Sequence, residues 1–160
     1  MPGQIAVHPV PRLHRSEARA LAYLIFEGDN NVNVAPVLRR LLAAKHKAEE
    51  DEQAIVWGRF RSWIDGEHRP KYHHGWDPIR DPEFSIAYVF RWDHHSHQHR
   101  RLYGFLTTRH RFEVCTLCCF GSKDEEHIDP VVRRTVIAMS KHQTVNEIMQ
   151  EAVNKWRRTS

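Results

Sequence analysis

No stretch of this sequence approaches the ~18–20 apolar residues that a membrane-spanning helix requires. The first residues, MPGQIAVHPVPRLHR, contain no secretory hydrophobic region, so a cytoplasmic location without membrane association is the expectation. Cysteine is scarce as well. Cys115, Cys118 and Cys119 are the only three, an odd number crowded together, which provides no disulfide framework and suits a reducing compartment. Internal repeats are absent, and the one low-complexity tract is DHHSHQH at 93–99.

What is present is basic. The 160 residues include 24 lysines and arginines against 20 acids, a net charge of +4, with 13 histidines beyond that. Histidine titrates near pH ~6.5, so mild acid or a nearby phosphate makes such a surface more positive. The length fits a single domain over 1–160, and 41% apolar with 28% charged residues is the composition of a folded chain.

Residues 4–10 read as a short edge strand broken by Pro9 and Pro11. Ser16 is a suitable N-cap for a helix over 17–27, with Leu21, Leu24 and Ile25 as its apolar stripe and Gly28 as its stop. Asp29-Asn30-Asn31 reads as a turn. A second helix starts near Asn33 with Pro36 in its first turn, turns Val37, Leu38, Leu41 and Leu42 to the core and runs over 34–50. Residues 54–64 fit a helix ending before Asp65-Gly66 or the start of a strand. The segment 65–83 holds Pro70, Pro78, Pro82 and two glycines and reads as a long loop.

From residue 84 the period becomes two. Phe84, Ile86, Tyr88, Phe90 and Trp92 alternate with Ser85, Ala87, Val89 and Arg91, the pattern of a strand buried on one face. Residues 101–108 and 112–120 read as two further strands joined by a tight turn at 109–111, completing a meander over 84–120. Asp129-Pro130 opens a helix bearing Val132, Val136 and Met139. Thr144-x-x-Glu147 forms a capping box for a last helix through Ile148, Ala152 and Trp156, so helices occupy 129–157. The expected fold is α+β: N-terminal helices, an antiparallel β-meander, C-terminal helices.

The chemistry concentrates in 91–111. Five arginines (91, 100, 101, 109, 111) and five histidines (94, 95, 97, 99, 110) surround a single acid, Asp93, with Trp92, Tyr103 and Phe105 interleaved. Arginine forks match phosphate oxygens and aromatic faces stack on unpaired bases, so Arg91, Arg100, Arg109, Arg111 and Trp92 are candidate nucleic-acid contacts, with RNA as the expected partner. The bland reading is a charged hairpin whose aromatics belong to the core. Beyond the last strand stands Gly121-Ser-Lys123-Asp-Glu-Glu-His127. Cleaving RNA by internal attack needs a base for the 2′-OH proton, an acid for the leaving oxygen and cations for the phosphorane. Arg101 and Lys123 suit the cations, His127 a proton carrier, Tyr103 an acid. Against this stands a plain helix-leading loop whose acids favour the helix dipole.

The order strand, RRLYGFL strand, FEVCTLCCF strand, GSKDEEHIDP and a helix with Arg133 and Arg134 resembles the RelE/HigB-like toxins of type II toxin–antitoxin systems, as do two helices ahead of the sheet, here 17–27 and 34–50. The resemblance implies a small basic ribonuclease, acting without a cofactor, often on ribosome-bound mRNA, and neutralised by an antitoxin protein. Arg101, Tyr103 and Lys123 carry over by motif, Arg91 and His127 by position. The chain departs from the family pattern in its 51–83 insertion, its C-terminal helix, and a single Lys123 where a tandem lysine is usual. The alternative is a non-enzymatic module of phage or mobile-element origin that binds nucleic acid or a host protein.

His73-His74 and the histidines at 94–99 also raise a metallonuclease reading, but HExxH is missing and no second CxxC pairs with Cys115–Cys118. In a 112–120 strand, Cys115 and Cys119 share one face and Cys118 takes the other, so the three do not chelate one ion. Untagged, purified protein is expected to hold no stoichiometric transition metal on elemental analysis; an equivalent of zinc would restore the histidine loops as ligands.

Overall fold

The computed structural model describes residues 5–10, 18–27, 32–94, 98–122 and 128–158. Its strands are β1 (Ala6–Pro9), β2 (Arg19–Ile25), β3 (His73–Gly75), β4 (Ala87–His94), β5 (Gln98–Arg109) and β6 (Phe112–Ser122), and its helices are α1 (Val34–Leu42), α2 (Lys47–Ile64), α3 (Pro130–Lys141) and α4 (Gln143–Arg158). The class is α+β. The six strands form one mixed sheet in the order β1-β2-β6-β5-β4-β3, in which β2 runs parallel to β6 and every other pair is antiparallel.

The expected helix over 17–27 is a strand. Its Ala20, Leu21, Ala22 and Leu24 are all buried, because helices cover the sheet on both sides. Leu21 packs with Val34, Leu38 and Leu41 of α1 and Phe60 and Trp63 of α2, whereas Ala20, Ala22 and Leu24 pack with Val136, Met149 and Val153 of α3 and α4. A strand buried on two faces carries a continuous apolar run, which period alone does not separate from a helix. The expected cap at Ser16, the stop at Gly28 and the turn at 29–31 lie outside the described residues.

β4 departs from expectation for the same reason. Val89 and Phe90 are both fully buried, on opposite faces, and Phe84 sits in a 3-10 turn (Pro82–Phe84) before the strand. The expected 34–50 helix is two helices, α1 ending at Leu42 with Ala43 as its C-cap and α2 starting after His46 and taking in 54–64. β1 sits at the sheet edge, where Pro9 costs no interior ladder bond. α4 begins at Gln143, one residue before the expected cap, with His142 Nδ1 accepting from Val145 N at 3.5 Å. Arg133 on α3 forks onto Asp81 at 2.8 and 3.0 Å and fastens that helix to the 3-10 turn.

A β-bulge resets the faces of β6. Tyr103 pairs with Cys119 but Gly104 pairs with Leu117, so Cys118 is the unpaired extra residue. Cys118 and Cys119 therefore both join the α3/α4 side of the core and Cys115 the other, which corrects the alternation expected for the cysteines. Burial raises the Cys115 and Cys118 thiols well above their ordinary range, so both stay protonated and inert. Gly104 makes the bulge possible: a Cβ there would lie inside the Thr116 carbonyl of β6. Gly104→Ala is expected to lower unfolding free energy by about 2–3 kcal/mol in denaturant titration. Gly58→Ala, on the exposed side of α2 with open space around it, should instead raise it by about 0.5–1 kcal/mol.

Candidate functional site

Arg91 of β4 and Arg101 of β5 are direct cross-strand partners. Alternation puts both on the face of Val89 and Tyr103, the α3/α4 side, at the end of the sheet where the β4–β5 hairpin closes. Like charges set directly opposite repel. Among the described residues no carboxylate pairs with either guanidinium, and Arg101 Nε is buried without a hydrogen-bond partner. Gly121 of β6 completes the row beside Arg101. A Cβ on Gly121 would come 3.1 Å from the Tyr103 ring, so the missing side chain leaves that ring its place. Burial raises the Tyr103 pKa, which keeps it a phenol at neutral pH, while the nearby Arg101 charge pulls the other way.

The preceding strand adds a histidine. His73 is buried against α2 between Ser62 Oγ at 3.1 Å and Tyr88 Oη at 2.7 Å. Ser62 spends its proton on Glu67 at 3.0 Å, so it accepts from His73 Nε2–H, and His73 Nδ1 accepts from Tyr88. With His73 bolted to one side of β3, alternation sends His74 to the other, in register with Val89. His74 Nδ1 donates to the Gly75 carbonyl at 2.7 Å, which leaves the Nε2 lone pair available. Burial, and then the charges of Arg91 and Arg101, lower the His74 pKa, so the ring is a neutral acceptor beside two guanidiniums.

On the opposite face the charges are occupied. Glu52 of α2, 3% exposed, accepts from Arg100 at 2.9 and 3.2 Å, from Trp92 Nε1 at 3.0 Å and from Arg40 at 3.3 Å. Trp92 and Arg100 are thereby turned inward. Arg109 lies against the Gln150 amide of α4. Arg111 is exposed in the β5–β6 turn, where it and His110 both hold positive φ, 66° and 51°. That turn is eight residues along β5 from Arg101, about 26 Å. Of the sequence-derived site residues, Arg91, Arg101 and Tyr103 come together, Trp92 and Arg100 meet on the other face, and Arg109 and Arg111 stand at the far end. Lys123 and His127 lie outside the described residues; Ser122 before them pairs with Arg100, and the carboxylate of Asp129 after them acts on Tyr103.

A cleft of about 340 Å³ opens at the β4 edge, lined by Arg59, Lys71, Tyr72, Arg91, Trp92, Asp93 and His99. Arg59 Nε donates to the Arg91 carbonyl at 3.0 Å, and the Arg59 and Arg69 guanidiniums lie over the Tyr72 ring at 3.6 and 4.0 Å. His99 Nδ1 meets Asp93 Oδ1 at 2.6 Å. Sequence reasoning missed Arg59, Lys71 and Tyr72, and considered His74 only as a metal ligand. The signal was the basic–aromatic run Arg69-Pro-Lys-Tyr-His-His74, inside a segment otherwise read as a loop.

Among the described residues no group of three histidines, cysteines or acids converges to hold a metal, and no helix is long and apolar enough to cross a membrane. No family model matches the chain, and neither does any curated protein or solved structure.

Because His73 fixes β3, its protonation bears on the whole site. Burial lowers its pKa from 6.5 to about 4, so between these values the unfolded chain takes up a proton that the folded chain refuses. The associated stability is complete above pH 6.5 and is lost as the pH falls toward 4, by roughly 3 kcal/mol in total. An NMR titration should find the His73 imidazole neutral at pH 5, and His73→Gln should flatten this part of the pH–stability curve. A ring titrating near 6.5 would show the network to be wrongly read.

Proposed function

We propose that the protein binds RNA on the Arg91–Arg101 face and cleaves it there as a RelE/HigB-like toxin. The observation that carries this reading is the pair of cross-strand guanidiniums with no carboxylate partner among the described residues, since a phosphodiester supplies the missing negative charge. The two forks would stabilise the extra charge of a pentavalent phosphorane. His74 Nε2, held as a neutral acceptor, is placed to take the 2′-OH proton. The 2′-oxygen then bonds to phosphorus, the bond to the 5′-oxygen breaks, and that oxygen leaves with a proton. The products are a 2′,3′-cyclic phosphate and a 5′-hydroxyl. Tyr103, beside Arg101 on the same strand face, remains the candidate acid together with His127, with Lys123 as a further cation. An acidic antitoxin covering the arginine row would neutralise it.

The test is inducible expression of the wild type beside Arg101→Ala, Arg91→Ala and Lys123→Ala. Wild type should arrest growth with cut mRNA. Each variant should relieve the arrest, and cleavage in vitro should fall by about 10²–10³-fold for Arg101→Ala, the usual effect of removing one charge-stabilising donor. Normal growth with intact message under wild-type induction would favour the non-enzymatic binding module.

A further inference from the structure

We propose that the cleft at the β4 edge is a second phosphate subsite, so that the ligand is single-stranded RNA spanning both this cleft and the Arg91–Arg101 face. The proposal rests on the RNA reading of that face and specifies the form of the ligand.

Three cations, Arg59, Lys71 and Arg91, line the cleft against one carboxylate, Asp93, which is engaged with His99. Lys71 is exposed and has no carboxylate partner among the described residues. Arg59 is held in place before any ligand arrives. Its Nε is fixed on the Arg91 carbonyl, and its guanidinium carbon lies 3.6 Å from the centre of the Tyr72 ring. Burial lowers its pKa, yet a guanidinium remains charged at neutral pH. Tyr72 is itself positioned, because its carbonyl accepts from Arg91 N at 2.8 Å and so fastens the 69–72 turn to β4. A stacked guanidinium with one donor committed to protein presents its remaining donors with less freedom to lose on binding.

Arg91 links the two places. Its carbonyl anchors Arg59 and its side chain opposes Arg101, so a strand crossing from one subsite to the other has a short path. A narrow basic groove that tracks a backbone suits a flexible unpaired strand, and a volume near 340 Å³ is within the range of a small-ligand site. Tyr72 is a positioning residue here, since two guanidiniums already lie over its ring.

The experiment measures binding of a fluorescent 2′-O-methyl RNA 10-mer, which lacks the attacking hydroxyl, by anisotropy across a salt series. Lys71→Ala and Arg59→Ala should each weaken binding about tenfold. Each should also reduce the slope of log affinity against log salt by about 0.7, the value for one phosphate contact on a single strand. Tyr72→Phe keeps the ring and should bind as wild type, whereas Tyr72→Ala should resemble Arg59→Ala. The same sequence as a duplex should bind more weakly. If Lys71→Ala and Arg59→Ala match wild type in affinity and slope while Arg101→Ala weakens binding, the subsite is overturned and the reading of the arginine face survives. If Arg101→Ala has no effect while the cleft variants weaken binding, the cleft stands and the arginine face falls. Duplex binding as tight as single-strand binding overturns the ligand class. Lys71 is exposed, so Lys71→Ala leaves the fold intact, which circular dichroism verifies.

Discussion

A buried carboxylate organises the hairpin end of this protein. Glu52 carries a negative charge almost wholly out of water, and such a group persists only when donors surround it. Arg40 from α1, Trp92 from β4 and Arg100 from β5 supply them, so one side chain of α2 ties two helices to the root of the β4–β5 hairpin. Arg100 cannot leave without stranding Glu52. The strand alternation that delivers Arg100 and Trp92 to this face delivers Arg101 and Arg91 to the other. There no acid pairs with them among the described residues, and Asp93, two residues along β4 from Arg91, is engaged by His99. The asymmetry between the faces is the origin of the candidate site: one is electrically closed, the other presents two unmatched guanidiniums.

The 65–83 segment completes that asymmetry. His73 is pinned between Ser62 and Tyr88, which sets β3 against β4 and leaves His74 facing the arginines. Tyr72 lies one residue before β3, under Arg59 and Arg69. A short strand buried at a single histidine thus fixes three consecutive side chains with three different roles. His73 holds the backbone, His74 offers a lone pair, and Tyr72 aligns cations around the cleft. The neutrality of both histidines follows from burial, reinforced at His74 by the guanidiniums it would serve beside.

Much of the architecture was legible in the chain. The edge strand at β1, the start of α1 after Asn33, the hairpin turn at 109–111 and the entry of α3 at Asp129-Pro130 all announce themselves through local chemistry. Pro9 suits an edge, Asp129 caps α3 through a 2.8 Å bond to Val131 N, and Pro130 suits a first helical turn. The opening helix over 17–27 was misread because Ala20 to Leu24 is apolar on both sides, and only a second layer of helices makes that run a strand. Arg101 and Tyr103 were legible as neighbours on one strand and Arg91 as a basic residue of the same hairpin, but not their grouping on one face. The place of His74 beside the arginines and the Tyr72 cleft were not legible, because no periodicity marks a three-residue strand.

The sequence by itself determined the material: a basic chain with three cysteines, arginines at 91, 100 and 101 on either side of a hairpin turn, and strands and helices bounded by their own caps and turns. The tertiary structure decided which of those charges remain available. Register places Arg91 opposite Arg101. A bulge permitted by Gly104 reverses the faces of the last strand. Glu52, distant in the chain, neutralises Arg100 and hides Trp92. Each of these depends on contacts between residues far apart in sequence. Local patterns govern only backbone conformation, while charge compensation and burial are set by whichever element packs against the site.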